Sequence, residues 1–279
     1  LYLELHRGTL TNQHNIKRNN RLAEIALHNL EYLTVSNAVE SGAEATDGSY
    51  RDLQETLLVN QFHDILPGTC IPRAHQESLQ ETNALLEKSA ALIEQAAGVE
   101  ASQKAVTVMN PTSFTRQDVV YLDYIPGMRV QGGYPQQVVD TLKNGKKLAV
   151  AGVEVPAYGS VVLTLEPGEL PEGSAFHHEG NSLETPFAKV QFTEKGTISS
   201  FWDIAAEREL KGDGYALNTF LVAEDVPADW DNWDVDADLE MKFRDTAELL
   251  SSEIVSQGPV ELRIRNRYQL TEKSVITQD

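Results

Sequence analysis

The fold class is decided by residues 84–111, which read ALLEKSAALIEQAAGVEASQKAVTVMNP. Leu79, Leu86 and Ile93 place an apolar residue at every seventh position, and the first half of the stretch contains the last two of them. This repeat is typical of a helix packed along one face. Gly98 suits the end of that helix, because glycine readily adopts the left-handed conformation of a helix C-terminus. After Ala101 the apolar residues alternate, as at 106–108, which is typical of a strand. We therefore predict a helical region followed by an all-β region.

Two further helices are predicted upstream of this stretch. Residues 11–33 place apolar side chains at i, i+3 and i+4, and residues 50–62 repeat the pattern. Residues 36–49 are mostly polar or small, so we expect a loop there. Pro72 suits the first turn of the third helix, and three helices with short connections predict a bundle over about residues 11–98. The faces expected to be buried are formed by Leu22, Ile25, Ala26, Leu30, Leu33, Leu53 and Leu57.

The all-β region consists of short alternating stretches separated by turn-forming residues. Asn144-Gly145 is a strong signal for a hairpin turn. Residues 166–173 are rich in Pro, Gly and Glu, and they predict a boundary between two β-domains. The predicted strands are 106–108, 119–122, 150–155, 161–165, 188–192, 198–202, 217–222, 260–270 and 274–277.

These patterns predict a multidomain protein, α followed by all-β. We assign residues 1–100 to a three-helix bundle, 101–167 to a small β-sandwich, and 168–279 to the N-terminal part of a larger β-sandwich. The first residues already alternate between apolar and polar, and the last predicted strand lacks a closing turn. We therefore expect the natural chain to extend beyond both ends, since a sandwich cut there leaves an unpaired edge.

Composition and charge narrow the function classes. The chain has 42 acidic and 23 basic residues, a formal net charge of −19, which disfavours nucleic acid as a partner. No apolar run approaches the roughly 20 residues of a membrane helix, so no membrane partner is expected. Cys70 is the only cysteine, and the single Asn-x-Ser/Thr match at Asn110 is blocked by Pro111. Both features favour a cytoplasmic location.

Residues 60–69, NQFHDILPGT, are the main candidate for a functional site. His63 and Asp64 adjoin where the second helix is expected to end. An imidazole nitrogen can bind a metal, and a carboxylate can accept hydrogen bonds from sugar hydroxyls. From the residues alone, a polar pair that merely caps the helix is the plainer interpretation. The chain has no P-loop and no Gly-x-Gly-x-x-Gly motif, so nucleotide binding has no support.

Other histidines give weaker signals. His63, Cys70 and His75 could form the zinc site of a self-contained metalloprotein, but their spacing matches none of the usual structural zinc patterns. His177 and His178 lie beside the predicted linker, where a solvated loop is the simpler interpretation.

Residues 60–69 resemble the His-Asp motif of family 38 α-mannosidases. Other segments resemble that family in the same order along the chain, in the branch nearest the cytosolic and vacuolar enzymes, although Asn232 stands where many relatives carry Ala. These segments are LYLELHRGT (1–9), VMNP (108–111), VPAYG (155–159), GTISS (196–200), EDVP (224–227) and WDNWD (230–234). The chain is therefore identified as a fragment of an α-mannosidase that contains the helical middle and the start of the C-terminal β-region.

The resemblance implies retaining hydrolysis of terminal α-mannosidic bonds, with a divalent metal, usually Zn²⁺, at the sugar subsite. His63 matches a metal ligand, and Asp64 matches a residue that contacts mannose hydroxyls. The nucleophile, the acid/base carboxylate and the other metal ligands belong to an upstream catalytic domain. No catalytic residue is therefore assigned in this chain, which we expect to be inactive alone.

Three further residues are candidates for substrate binding: Arg7, Trp230 and Trp233. Arg7, like its neighbour His6, could reach substrate hydroxyls, but a structural role between domains is the simpler interpretation. Each tryptophan either stacks on a sugar face or fills a buried corner of the sandwich. The expected partners are α-mannosides or mannose-containing oligosaccharides and the missing catalytic domain, and a homo-oligomer is compatible with the sequence. The competing function is a non-catalytic carbohydrate-binding or scaffolding module.

Overall fold

The computed structural model describes residues 4–42, 48–98, 104–141, 145–245 and 247–279. The described chain divides into two compact units. One unit combines the residues up to 98 with Glu224–Met241, and the other contains 104–223 and the residues from Lys242 onward. Within these ranges, none of the helices is long and apolar enough to cross a membrane.

The first unit contains the predicted three-helix bundle. Its helices are α1 (His14–Ser41), α2 (Gly48–Asn60) and α3 (Pro72–Ala97). One apolar core joins all three, as predicted for Leu30, Leu53 and Leu57. The fully buried members of that core are Ala23, Leu27, Leu30, Leu53, Leu57 and Leu85.

The first helix differs from the prediction in length and in orientation. It continues through Ser41 and ends at Gly42, whose φ of +69° is left-handed. The predicted loop is therefore wrong over residues 36–41 and 48–49, which are helical, and residues 43–47 of it lie outside the described part. The buried stripe is also rotated, because Ala23 and Leu27 face the core while Leu22 and Ile25 are 38% and 43% exposed.

The interface between α1 and α3 is more polar than the heptad pattern of α3 suggested. The most buried residues of α3 include Ser78, Thr82 and Ser89 rather than only leucines. The amide of the buried Asn19 donates to Thr82 Oγ1 over 3.0 Å and to Asn83 Oδ1 over 2.9 Å. Small side chains let two helices approach closely. The two hydrogen bonds satisfy the buried Asn19 amide, whereas the buried hydroxyls of Ser78 and Ser89 have no hydrogen-bond partner among the described residues.

The second unit begins with two three-stranded antiparallel sheets that share one apolar core. One sheet has the order β1-β6-β3 and the other β2-β5-β4. Val130 and Leu163 from the first sheet and Leu148 and Val150 from the second are buried in that core. The strands are β1 (Ala105–Met109), β2 (Arg116–Asp123), β3 (Met128–Val130), β4 (Gln136–Thr141), β5 (Gly145–Val155) and β6 (Ser160–Pro167).

The hairpin predicted at Asn144-Gly145 joins β4 to β5, which pair antiparallel with Thr141 opposite Gly145. Asn144 itself lies outside the described residues. Strands β3 and β4 were not predicted, because β3 is only three residues long and β4 opens with two buried glutamines, Gln136 and Gln137. The Gln136 side chain bonds both the N–H and the C=O of Val130 over 2.7 Å, which replaces backbone pairing at that point.

The rest of the second unit is also antiparallel. A five-stranded sheet follows the order β11-β10-β9-β8-β7, a two-stranded sheet pairs β12 with β13, and a three-stranded sheet has the order β14-β15-β16. The strands are β7 (His177–Glu179), β8 (Ser182–Glu184), β9 (Ala188–Phe192), β10 (Ile198–Asp203), β11 (Arg208–Glu209), β12 (Leu221–Val222), β13 (Arg244–Asp245), β14 (Glu248–Gln257), β15 (Leu262–Gln269) and β16 (Val275–Gln278). The prediction of helices followed by all-β structure is confirmed.

Three local predictions in this part are wrong. His177 and His178 lie on strand β7 rather than in a solvated loop. Only the end of the predicted strand 217–222 is a strand, and Leu217 makes a single bridge to Ile198. Strand β14 was missed because its apolar residues occur in adjacent pairs and most of its side chains are exposed, so it lacks alternation.

A buried glutamine connects the early and late strands of this unit. The side-chain oxygen of Gln137 accepts hydrogen bonds from the backbone N–H groups of Val260 and Glu261 over 3.0 and 2.9 Å. Its amide group donates to Ser256 Oγ over 2.9 Å. A Cβ at Gly258 would lie 2.5 Å from the Gln137 side chain, so the turn between β14 and β15 requires glycine there.

The predicted domain boundaries near residues 100 and 167 stay predictions.

Candidate functional site

The His63-Asp64 pair lies on a compact turn between α2 and α3. The turn follows Asn60, where α2 ends. Backbone hydrogen bonds join its own residues to one another over the next nine positions. The bonds are Ile65 N to Phe62 O (3.0 Å), Leu66 N to Phe62 O (3.1 Å), Gly68 N to Ile65 O (2.9 Å) and Thr69 N to Asp64 O (3.1 Å). The two candidate side chains are therefore held on an ordered turn rather than on a loose connection.

Lys17 of α1 anchors this turn. Its ammonium group donates to the carbonyl oxygens of Asn12, Leu66 and Pro67 over 2.6, 2.9 and 3.0 Å. Three acceptors match the three protons of an ammonium group, so the charge is fully hydrogen-bonded. Burial lowers the pKa of Lys17 below its usual value. The turn is thereby tied to the start of α1, 49 residues before Leu66 in the sequence.

Gly68 is required where the turn passes α1. Its φ of +83° is left-handed, and a Cβ there would lie 2.8 Å from Gln13 Cβ. The Gly68 carbonyl accepts a hydrogen bond from the Asn12 side chain over 3.0 Å. The Pro67-Gly68 pair marked the end of this region in the sequence, but nothing in the sequence identified Lys17 or Asn12 as its supports.

The imidazole of His63 is exposed rather than packed in the core. Its side chain is 74% exposed, and its ring lies against the ring of Phe62 at a centroid distance of 4.2 Å. Asp64 Oδ2 is 3.6 Å from His63 Nε2, while Asp64 Oδ1 accepts a hydrogen bond from Thr69 Oγ1 over 3.3 Å. The hydrogen bond from Thr69 thus holds Asp64 Oδ1, whereas Asp64 Oδ2 points towards the His63 ring.

The described side chains do not form a complete donor set for a metal. Within residues 4–42, 48–98, 104–141, 145–245 and 247–279, no group of three or more His, Cys, Asp or Glu side chains is placed to hold a metal ion. His63, Cys70 and His75 all lie in these ranges, so the self-contained zinc site at these residues is wrong. A zinc site takes three or four protein ligands, so His63 fits only as one ligand of a site completed by other residues.

The structure brings Arg7 and Trp233 together, although they lie far apart in the sequence. The Arg7 guanidinium donates to the Val235 carbonyl over 2.9 Å and pairs with Glu240 at 3.7 Å. Gly8 N donates to Trp233 O over 3.1 Å, and a Cβ at Gly8 would lie 2.9 Å from a backbone oxygen, so only glycine fits this contact. The N-terminal segment therefore packs against the segment that follows Trp230.

The two tryptophans have different surroundings in this contact. Trp233 is half-buried and meets the His6 ring edge-on at 5.4 Å. Trp230 is 75% exposed, has a φ of +59°, and accepts hydrogen bonds at its carbonyl from the N–H groups of Trp233 and Asp234. A buried corner is therefore wrong for Trp230. Substrate binding by Arg7, Trp230 and Trp233 stays a prediction.

Two family models match the chain in the regions that carry these residues. The model described as "Alpha mannosidase middle domain" matches residues 4–99, and the model described as "Glycosyl hydrolases family 38 C-terminal domain" matches residues 183–279. The chain belongs to glycosyl hydrolase family 38. The resemblance stated from the sequence is thus confirmed. The middle-domain match of this family 38 chain includes Arg7, His63 and Asp64, and the C-terminal match includes Trp230 and Trp233.

Curated relatives agree with this membership, and a solved structure shares the fold. The chain is 30% identical over 252 residues to α-mannosidase 2C1 of Homo sapiens, which covers 84% of this chain and 22% of the relative. It is 31% identical over 118 residues to an α-mannosidase of Saccharomyces cerevisiae, covering 41% of this chain and 11% of that protein. The crystal structure of an α-mannosidase from Enterococcus faecalis V583 matches with a TM-score of 0.67 at 12% identity, over 94% of this chain and 35% of that one. This family 38 chain thus spans about a fifth of the length of the human relative.

The anchoring of the candidate turn gives a direct stability prediction. Lys17→Met would leave the carbonyls of Leu66 and Pro67 without their donor, which should lower the free energy of unfolding by about 2 kcal/mol. Urea denaturation measures this loss, and hydrogen exchange of the amides of residues 65–69 should accelerate. Arg18→Met, at an exposed position of the same helix, is the control and should change neither quantity. Equal stability of both variants would show that Lys17 does not anchor the turn.

Proposed function

We propose that this chain is part of a retaining α-mannosidase that hydrolyses terminal α-mannosidic bonds of mannosides or mannose-containing oligosaccharides. Family membership supports the class of enzyme. The observation that carries the proposal for this chain is the His63-Asp64 turn, which presents an exposed imidazole beside a carboxylate with one anchored oxygen. The chain would supply the part of the active site that holds the sugar.

His63 is the residue that would hold the divalent metal, with Zn²⁺ as our proposal, together with ligands from other parts of the enzyme. When bound, such a cation draws the mannose hydroxyls into position and favours the distorted ring of the transition state. Asp64 would accept hydrogen bonds from the same hydroxyls. The hydrogen bond from Thr69 fixes the orientation of the carboxylate before the substrate arrives, so this side chain loses little conformational entropy on binding.

The bond-breaking step requires groups that we do not assign to this chain. Retaining glycosidases use two carboxyl groups about 5 to 5.5 Å apart, one as nucleophile and one as acid/base. We propose that both lie in an upstream catalytic domain. Arg7, Trp230 and Trp233 are proposed to border the substrate, with the exposed ring of Trp230 best placed to stack on a sugar. We also propose a cytoplasmic location, on the basis of the single cysteine and the blocked glycosylation signal.

The exposed Trp230 also favours a second candidate, a non-catalytic carbohydrate-binding or scaffolding module. The two candidates differ in what precedes the chain in its gene. A catalytic α/β domain encoded immediately upstream supports the mannosidase, and a gene without such a domain supports the binding module.

Activity of the isolated 279-residue protein provides the biochemical test. We expect no release of nitrophenol from an aryl α-mannoside above the buffer rate, with or without added Zn²⁺ or Co²⁺. Hydroxyl positioning cannot replace a missing nucleophile, so the side chains we assign here are insufficient. Metal-dependent turnover by the purified protein, at a rate proportional to its concentration, would contradict the assignment of the catalytic carboxylates to another domain.

A further inference from the structure

The five-stranded sheet of β7 to β11 carries a row of five side chains on one face. Trp202 is paired with Glu209 and Lys189, Lys189 with Glu184, and Glu184 with His177. Directly paired residues on neighbouring strands point to the same side of a sheet. The row crosses four strand spacings of about 4.8 Å, roughly 19 Å in all.

A second polar row runs beside the first on the same face. Ser200, Gln191 and Ser182 are paired across β10, β9 and β8, two residues further along each strand. The Ser182 hydroxyl donates to Gln191 Oε1 over 2.7 Å, which fixes the amide. Residues between the rows point to the opposite side, where Val190 is buried with 8% exposure and Leu183 and Phe201 are half-buried. The sheet therefore has one apolar face, which packs inward, and one polar face.

The polar face is concave. It forms a groove of about 830 Å³, lined by His177, Glu184, Lys189 and Trp202 of the first row and by Gln257 of β14. This volume lies within the range of small-molecule binding sites, roughly 300 to 1,000 Å³. Trp202 is 39% exposed and is the aromatic member of the row. A large aromatic ring therefore stands between Glu209 and Lys189 in an otherwise polar row, with part of its surface open to the groove.

Charged side chains of the first row are paired or hydrogen-bonded, and the exposed Glu179 of β7 adds a further carboxylate to the groove lining. Lys189 Nζ lies 3.3 Å from Glu184 Oε1. Glu209, at the end of the row beyond Trp202, accepts hydrogen bonds from the Ser200 hydroxyl and from the backbone N–H groups of Phe201 and Lys211, and these bonds lower the pKa of its carboxyl group. The groove thus offers donors and acceptors without an excess of positive charge, which makes it a poor site for a phosphate or another anion.

We propose that this groove is a second, non-catalytic binding site for a short neutral oligosaccharide. The C–H groups on one face of a pyranose ring pack on the Trp202 indole, and its hydroxyls reach the paired Lys189 and Glu184, which supply a donor and acceptors side by side. The row of roughly 19 Å has room for several sugar units across the strands. The site is separate from the His63-Asp64 turn in sequence and in structural unit, and only the choice of a mannose probe rests on the proposed function.

A protein partner fits this face less well than a sugar. The centres of protein interfaces are depleted in charged residues, whereas charged side chains flank Trp202 on both sides of its row. A sugar leaves such groups partly hydrated and uses them as hydrogen-bond partners. Binding of a second copy of the chain is therefore an outcome that the experiment must separate from sugar binding.

Titration calorimetry of the 279-residue protein with α-mannotetraose, and with maltotetraose as a second neutral probe, tests the proposal. We expect saturable binding of at least one tetrasaccharide. Trp202→Ala should weaken this binding about tenfold, and Trp202→Phe should weaken it less, because a smaller ring remains. Tyr121→Ala is the control, since Tyr121 is an exposed aromatic residue of β2 that lies outside the groove and has no assigned role, and it should leave the affinity unchanged.

A second variant keeps the proposal testable if Trp202→Ala folds poorly. Lys189→Met combined with Glu184→Gln retains the ring and removes the paired charges, and it should also weaken binding. Unchanged affinity in both groove variants, or no binding of either probe to the wild-type protein, would overturn the proposal. So would a concentration-dependent dimer that Trp202→Ala abolishes. Because these measurements involve no hydrolysis, their outcome does not depend on the mannosidase proposal.

Discussion

Replacing His63 by alanine in the complete enzyme is expected to remove the bound metal and to lower kcat/KM for an aryl α-mannoside by about a thousandfold. The estimate follows from the several kcal/mol of transition-state stabilisation that a catalytic metal supplies, at 1.36 kcal/mol for each factor of ten. His63 is 74% exposed, and its neighbours Phe62 and Asp64 belong to its own turn, so the fold should survive the change. Metal analysis of the purified variant and steady-state kinetics measure the two losses.

The control for this prediction is another exposed histidine of the same helical bundle. His14, the first residue of α1, is exposed and has no assigned role, so His14→Ala should keep both metal and activity. If the His63 variant retains a full equivalent of metal, His63 is not a ligand. The His63-Asp64 pair would then only cap the end of α2.

The second large effect is expected at Asp64, and it should differ in kind. Asp64→Asn keeps the shape of the side chain and an oxygen that can accept the bond from Thr69. The negative charge is lost, so each hydrogen bond from a mannose hydroxyl contributes about 0.5 to 1.5 kcal/mol instead of about 1.5 to 3 kcal/mol. We expect kcat/KM to fall by about ten- to a hundredfold while the metal content stays unchanged.

Metal content separates the two roles at this turn. Loss of metal from the Asp64→Asn enzyme would make Asp64 a ligand rather than a hydroxyl acceptor. Unchanged kinetics with a full metal complement would place Asp64 outside the sugar subsite. Thr69→Val tests the orienting bond, and it should lower kcat/KM by less than Asp64→Asn because the carboxylate itself remains.

The order of helices and strands could be predicted because each kind of element left a strong local signal. The change of period near Ala101 and the buried faces at Leu53 and Leu57 depend on neighbouring residues only. The rotation of α1 could not be predicted in the same way. Leu22 and Ile25 fit an apolar face as well as Ala23 and Leu27 do, and tertiary packing chose between the two faces.

Buried polar residues account for most of the remaining errors. The interface on α3 uses Ser78, Thr82 and Ser89, and strand β4 begins with Gln136 and Gln137, all of which suggest surface positions by composition. Each is acceptable inside because a specific partner satisfies it or because its side chain is small. The partners of Thr82 and Gln137 lie 63 and 119 residues away, and Gln136 bonds Val130 six residues away, so no apolar periodicity reveals these contacts.

The candidate site was identified by its motif, whereas its supports were not. His63 and Asp64 stand out as neighbours at a predicted helix end. Lys17 looks like any solvated lysine of an amphipathic helix, and only the folded chain shows its three carbonyl partners. The contact of Arg7 with Val235 joins residues 228 positions apart, and no periodicity could predict it.

The most direct test of the central claim is the position of the metal in the complete enzyme, located by anomalous X-ray scattering at the zinc edge. The account predicts a peak about 2.0 to 2.1 Å from a ring nitrogen of His63, the usual zinc–histidine distance. The carboxylate of Asp64 should lie beside that peak and within reach of a bound sugar. A metal peak surrounded entirely by other residues, with His63 in solvent, would contradict the account.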